Sequence, residues 1–253
     1  MCLILIAYRV HPEMPLVVAA NRDEFYARPT ASAHFWHGPA RMLAGKDLEA
    51  GGTWLGVDER GRFAAVTNVG EPPPAQPKAS RGALVQDFLN GTSAAEPYAG
   101  AIELERYRGF NLLLWDGETL LYTSNRAPTQ ILKPGYFGLA NVSLDEQRHK
   151  VDRGRAALKH CVEQGTDGIT ERLTTLLGDR LPPAQSEGRE IPGRSAEEIT
   201  AMGACFIVGS EYGTRASSAI TIGQDEVAFT EALYSSGGIP RGTSSHRFAR
   251  ARD

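Results

Sequence analysis

A chain of 253 residues with 42% apolar and 23% charged side chains can bury a sizeable core, as one large domain or two small ones. Its formal net charge of −3 excludes a whole-surface cationic field of the kind that gathers nucleic acid or anionic lipid. Cys2, Cys161 and Cys205 stand far apart with no CxxC pair, which argues against a zinc site or a disulfide framework and fits a reducing cytoplasm.

In chain order, the run "CLILIAYRV" reads as a strand, too short for a signal-peptide core, and no stretch approaches the roughly 18 apolar residues of a membrane span. "HPEMP" links it to a second strand, "PLVVAAN". Both runs are almost continuously apolar, as expected of strands covered on both faces. Strands follow at "RMLAGKD", "GTWLGVD" and "RFAAVTNV", then at "GFNLLLWD", "TLLYTSN" and "YFGLAN", and finally at "ACFIVG", "RASSAITIG" and "EVAFTEALY". Helical periodicity marks residues 80–90, with Ser80 as N-cap and Gly91 as stop, and residues 145–163 and 168–178. The helices cluster between groups of strands, which predicts an α+β fold of antiparallel sheets with segregated helices. Two Pro-rich segments, 70–80 and 181–194, read as long surface loops. The closing arginines, Arg241, Arg247, Arg250 and Arg252, read as a solvated, disordered tail at 241–253 behind a single domain of residues 1–240.

Cys2 admits two readings. It is a small apolar residue in a core, or a nucleophile completed by loss of Met1, which aminopeptidases remove when the next side chain is small. Removal puts an amine of pKa ~8 on the same residue as the thiol, able to accept its proton. The polar cluster Asn21, Arg22, Asp23 and Glu24 ends the second strand close to Cys2. Alternation sends Asn21 and Asp23 to one face and Arg22 and Glu24 to the other. Asn68 and Asn141 end buried strands, where a rigid carboxamide can donate to a developing oxyanion or simply form a turn. Asn111 in an apolar run reads as structural. Arg215 follows "YGT", and Trp54 in "GGTWLG" reads as core or pocket wall. His34 and His37 form an HxxH, whereas zinc helices use i, i+4, and no third ligand stands nearby; no metal and no cofactor is expected.

The Met-Cys start, "AANRDEFYARP", "AGKDLEAGGTWLGVDERGRFAAVTN", "SRGALVQDFL", "GFNLLL", "YFGLANVSLD" and "YGTRASS" together resemble the NRDE-motif family, that of the transport-and-Golgi-organisation protein number two, over nearly the whole chain. More distantly the chain resembles the N-terminal-nucleophile (Ntn) hydrolases of the choloylglycine hydrolase and penicillin V acylase type. That resemblance implies an αββα sandwich, Cys2 as nucleophile with its own amine as base, Arg22 and Asp23 as polarising and orienting groups, Asn68 and Asn141 as oxyanion or substrate donors, and Arg215 as electrostatic partner of the thiolate. Asn21, Glu24 and Trp54 would touch substrate. The acylases space arginine and aspartate as R-x-x-D, whereas here Arg22 and Asp23 are adjacent. The implied activity is hydrolysis or acyl transfer at a C–N or thioester bond of a small, partly lipophilic substrate. The alternative is a non-catalytic carrier holding haem or an acylated lipid in the same pocket, haem through His34, His37 or Cys2.

Overall fold

The first two strands are apolar on both faces because two different cores claim them. In the computed structural model, which describes residues 2–71, 78–187 and 194–251, β1 (Cys2–Tyr8) pairs antiparallel with β2 (Leu16–Phe25), Cys2 opposite Arg22 and Tyr8 opposite Leu16. Ile4, Ile6, Leu16, Val18 and Ala20 enter one apolar cluster, and Leu3, Leu5, Ala7, Val17 and Ala19 enter another. The pleat sends successive residues to opposite faces, so one strand pair serves both layers.

The elements continue as β3 (Thr30–Trp36), β4 (Met42–Asp47), β5 (Leu55–Asp58), β6 (Phe63–Asn68), α1 (Gly82–Asn90), α2 (Ala95–Gly100), β7 (Phe110–Trp115), β8 (Leu120–Ser124), β9 (Gln130–Ile131) and β10 (Gly135–Leu139). After them come α3 (His149–Glu163), α4 (Ile169–Leu177), α5 (Ala196–Ala201), β11 (Tyr212–Ile222), β12 (Glu226–Ser235) and β13 (Ile239–Ala249). One sheet has six strands in the order β10-β1-β2-β11-β12-β13, and the other has seven, β3 through β9 in sequence. All named pairings are antiparallel.

The sheets face each other across a core that includes Val18, Leu113, Trp115, Tyr122 and Phe229. Leu158 and Val162 of α3 and Leu173 and Leu177 of α4 cover the outer face of the first sheet. Leu84, Phe88 and Leu89 of α1 cover that of the second. The fold is a four-layer αββα sandwich. Among the described residues no helix is long and apolar enough to cross a membrane.

Three sequence expectations need correction, and one strand adds to them. Residues 204–209, of which 204–207 are buried, form no strand, because their backbone bonds go out singly: Phe206 N–H donates to Asp179 O and Ile207 N–H to the Thr214 hydroxyl. Residues 30–36 form β3, whose mixture of exposed and buried side chains lacks an apolar run. Ser80 does not cap α1, whose N-cap position is Arg81, with no side-chain cap. The arginine-rich tail does not fray but forms β13 along the whole of β12. Its inward residues are Ser244, His246 and Phe248, alternating with outward positions that include Arg247. Residues 72–77 and 188–193 of the expected loops lie outside the described residues.

Candidate active site

Residues directly opposed in an antiparallel pair project to the same face. The Cys2 side chain therefore shares the inter-sheet face with Arg22, while Asn21 and Asp23 point toward the helices. The register of β2 on β11 shifts between Thr214 and Ala216, leaving Arg215 as the extra residue of a bulge. Gly213 permits this: a Cβ there would lie 2.4 Å from the Tyr26 hydroxyl and 2.7 Å from Ile207 O.

Asp23 is buried, accepts from the Thr214 hydroxyl at 2.7 Å and lies 3.8 Å from the buried Lys150 ammonium. Burial pushes its carboxyl above the usual range against the opposing charge of Lys150. Arg22 Nη2 sits 3.1 Å from Asp47 and 3.8 Å from Glu24.

Cys2 is half-buried. Burial raises its thiol pKa, opposed by the amino terminus and by Arg22, while Asp23 adds to the rise. The Cys2 backbone nitrogen donates to Asn141 Oδ1 at 2.6 Å, and Asn141 Nδ2 donates to Asn68 O at 2.6 Å. Asn141 thereby clamps the head of β1 to the end of β6, leaving its second N–H and the carboxamide of Asn68 as donors. Supporting bonds hold the Asn141 segment: Thr67 hydroxyl to Ala140 O, and Asn111 Nδ2 to Val142 O. Asn111 has the structural role expected of it.

A cavity of about 1040 Å³ opens beside Cys2, and its lining includes Arg22, Glu24, Trp54, Asn68, Asn141 and Arg215. Two expected roles do not match this geometry. Asn21 is fully buried and does not line the cavity: its carboxamide donates to Leu177 O and Cys205 O and accepts from Ser217, so it brackets β2 to the helix layer. Arg215 reaches the cavity but donates to the carbonyls of Phe25 and Arg28, and Arg22 is the guanidinium with the stronger influence on the thiol. His34 bonds Ser32 O and stacks on Trp36, and neither it nor His37 lines the cavity. Among the described residues no group of three His, Cys, Asp or Glu side chains is arranged to hold a metal ion.

Lys150, Glu231 and Arg81 escaped the sequence reading. Glu231 left a signal, as an acid on the same alternating face as Val227 and Phe229. Arg81 is fixed by a backbone contact: a Cβ on Gly52 would lie 2.8 Å from the carbonyl carbon of Gly82, so the "GGTW" turn and the start of α1 touch directly.

Two antiparallel sheets face to face between helix layers, with a cysteine heading the first strand at a cavity, define the Ntn-hydrolase class of fold. The solved structure of a mutant conjugated bile acid hydrolase from Clostridium perfringens has this fold, with a TM-score of 0.52 over 100% of this chain and 97% of its own at 8% sequence identity. Within that class the chain belongs to the family "Transport and Golgi organisation 2", whose model matches residues 1–236. The Transport and Golgi organization protein 2 homolog of Bos taurus is 34% identical over 91% of this chain and 92% of its own length. The Homo sapiens homolog is 32% identical over the same shares.

Proposed function

We propose that the protein is a cysteine acyl-transfer enzyme of the Ntn type, cleaving an amide or thioester of a small, partly lipophilic substrate in the reducing cytoplasm. The observation that carries this reading is the 2.6 Å bond from the Cys2 nitrogen to Asn141, at the mouth of a cavity beside a half-buried thiol. With Met1 removed, that nitrogen is a free amine held next to its own sulfur. The amine takes the thiol proton, and the thiolate attacks the substrate carbonyl. The oxyanion is received by the Asn68 carboxamide and the second N–H of Asn141. Collapse breaks the C–N or C–S bond, the ammonium returns its proton to the leaving group, and water then cleaves the acyl-thioester. Arg22 favours the thiolate, and Asp23 with Lys150 orients the end of β2.

Intact-mass measurement of the purified protein is expected to find Met1 absent. Reaction with a thiol-reactive acyl probe is expected to give one adduct, on the Cys2 peptide, and none in Cys2→Ala. Cys161 and Cys205 do not compete, because both are buried whereas Cys2 is half-buried at the cavity, and neither carries an amine of its own. Retained Met1, or labelling unchanged by Cys2→Ala, would overturn the proposal. The volume of the cavity favours a second reading, a carrier that holds an acylated lipid without turnover. A stable adduct that water never resolves, with lipid binding intact in Cys2→Ala, would select the carrier. Haem as its cargo would rest on Cys2 alone among the three ligands considered, and a haem titration without a Soret shift would remove it.

A further inference from the structure

We infer that the substrate carries an anionic group, a carboxylate or a phosphate, near its reacting carbonyl, and that Arg81 receives it. This rests on Cys2 being the reacting atom. Cationic side chains outnumber acidic ones two to one in the cavity lining, so the question is which of them are already neutralised.

Asp47 Oδ2 takes both Arg22, at 3.1 Å, and Arg28, at 2.7 Å, and Glu24 adds to Arg22 at 3.8 Å. Asp23 is paired with Lys150 on the helix side. Burial favours the neutral form of Glu231, against the N–H of Ala33 that its Oε2 accepts at 2.6 Å. Arg108 lies 3.6 Å from Glu71.

Among the described residues, that leaves Arg81, Arg215, Arg241, Lys46 and Lys78 in the wall without a carboxylate partner; Lys46 lies over the Trp36 ring, Lys78 donates to Glu105 O, and Arg241 is exposed. Arg215 is occupied by backbone carbonyls in the β2–β3 connection. Arg81 gives one N–H, from Nη1 to Gly109 O at 3.1 Å. A guanidinium has five donors in a planar fork, which matches the paired oxygens of a carboxylate or phosphate. Cations and one acid surround Arg81, with Glu71 opposing Arg108 and Arg28. Burial lowers its pKa, and Arg108 and Arg28 lower it further. A bound anion would relieve both. Arg81 lines the same cavity as Cys2, so an anion on its fork shares that cavity with the thiol. The backbone contact of Gly82 with Gly52 and Thr53 holds Arg81 in place, and the proposed acyl transfer leaves it without a role.

The test compares alkylation of Cys2 in the full-length protein by iodoacetate, an anion, with that by iodoacetamide, its neutral analogue. Relative to free cysteine, the wild type is expected to favour iodoacetate by about tenfold. Arg81→Gln should abolish most of that preference while changing the iodoacetamide rate far less, and Arg81→Lys, which keeps the charge but not the fork, should retain part of it. Protection by inorganic phosphate points to a phosphate ligand, and protection by succinate to a carboxylate. No preference in the wild type, or a preference that survives Arg81→Gln, overturns the inference and leaves Cys2 as nucleophile intact. A thiol inert to both reagents instead removes the nucleophile reading. The anion site is then read in Cys2→Ala by the thermal shift that phosphate or succinate produces: a shift lost in Arg81→Gln supports the site, and no shift overturns it.

Discussion

Glu231 places an acid on the inner face of β12, and its surroundings fix the sign of a pH effect. The side chain is 3% exposed, and burial raises its pKa above the ordinary carboxylate range. The folded state therefore binds this proton more tightly than the unfolded chain does. Its cost to stability is absent below the unfolded value of about 4.3, grows as pH rises, and is complete above the folded pKa. Glu231→Gln keeps the shape and the acceptor for Ala33 N–H while removing the titration. The variant is expected to melt above the wild type at pH ~8, with the difference closing near pH ~4. A difference that is constant across that range would show that burial of charge is not the cause. Cavity chemistry explains why the acid is tolerated there: a Cβ on Gly45 would stand 3.3 Å from Glu231 Oε1, so the neighbouring strand has left room for the carboxyl.

Among the elements, α1 sets helix propensity against packing. Alanine is a better helix residue than glycine by up to about 1 kcal/mol, which predicts that Gly82→Ala stabilises. At this position, however, a Cβ would lie 2.9 Å from Thr53 O and 3.0 Å from Thr53 N. Both are backbone atoms that cannot rotate away, and overpacking of this kind costs roughly 1–3 kcal/mol. Gly82→Ala is therefore expected to lower the urea midpoint, and a midpoint raised or unchanged would refute the contact. The same comparison shows what the sequence could and could not reveal. Alternation along β2 correctly separated Arg22 from Asp23, and the unbroken apolar runs of β1 and β2 correctly placed them between two layers. The bulge at Arg215 was invisible, because it arises from pairing with a strand about 190 residues away in the chain. Lys150 was hidden for the same reason: its helix periodicity says that it is near a core, but only the packing of α3 on β1 brings it to Asp23. Asn21 was misread as a substrate contact because a motif does not reveal which of its members turn inward.

For the molecule as a whole, β13 joins the two sheets, although most of its side chains are polar or exposed. Phe248 packs on the inter-sheet core, and its ring lies 5.4 Å from that of Phe35 on β3, in the opposite sheet. His246 meets the same ring at 5.7 Å. Beyond the strand, Arg250 Nε donates to Arg60 O at 3.0 Å and Ala251 N–H to Glu59 O at 2.8 Å, tying the chain end to the turn between β5 and β6. Arg241 extends the cavity wall. Removing everything after Gly238 would leave β12 as an unpaired edge and uncover Val227 and Phe229, which are 0% and 1% exposed. Loss of Phe248 alone forfeits on the order of 2 kcal/mol of apolar burial, and an open edge carrying apolar side chains recruits other strands. The truncated chain is expected to melt well below the full-length protein and to associate as its concentration rises, read by thermal denaturation and light scattering. A truncated chain that stayed monomeric and melted within a degree or two of full length would return these residues to the status of a dispensable tail. The geometry argues the reverse, since the same segment closes one sheet, bridges to the other and contributes a wall to the candidate site.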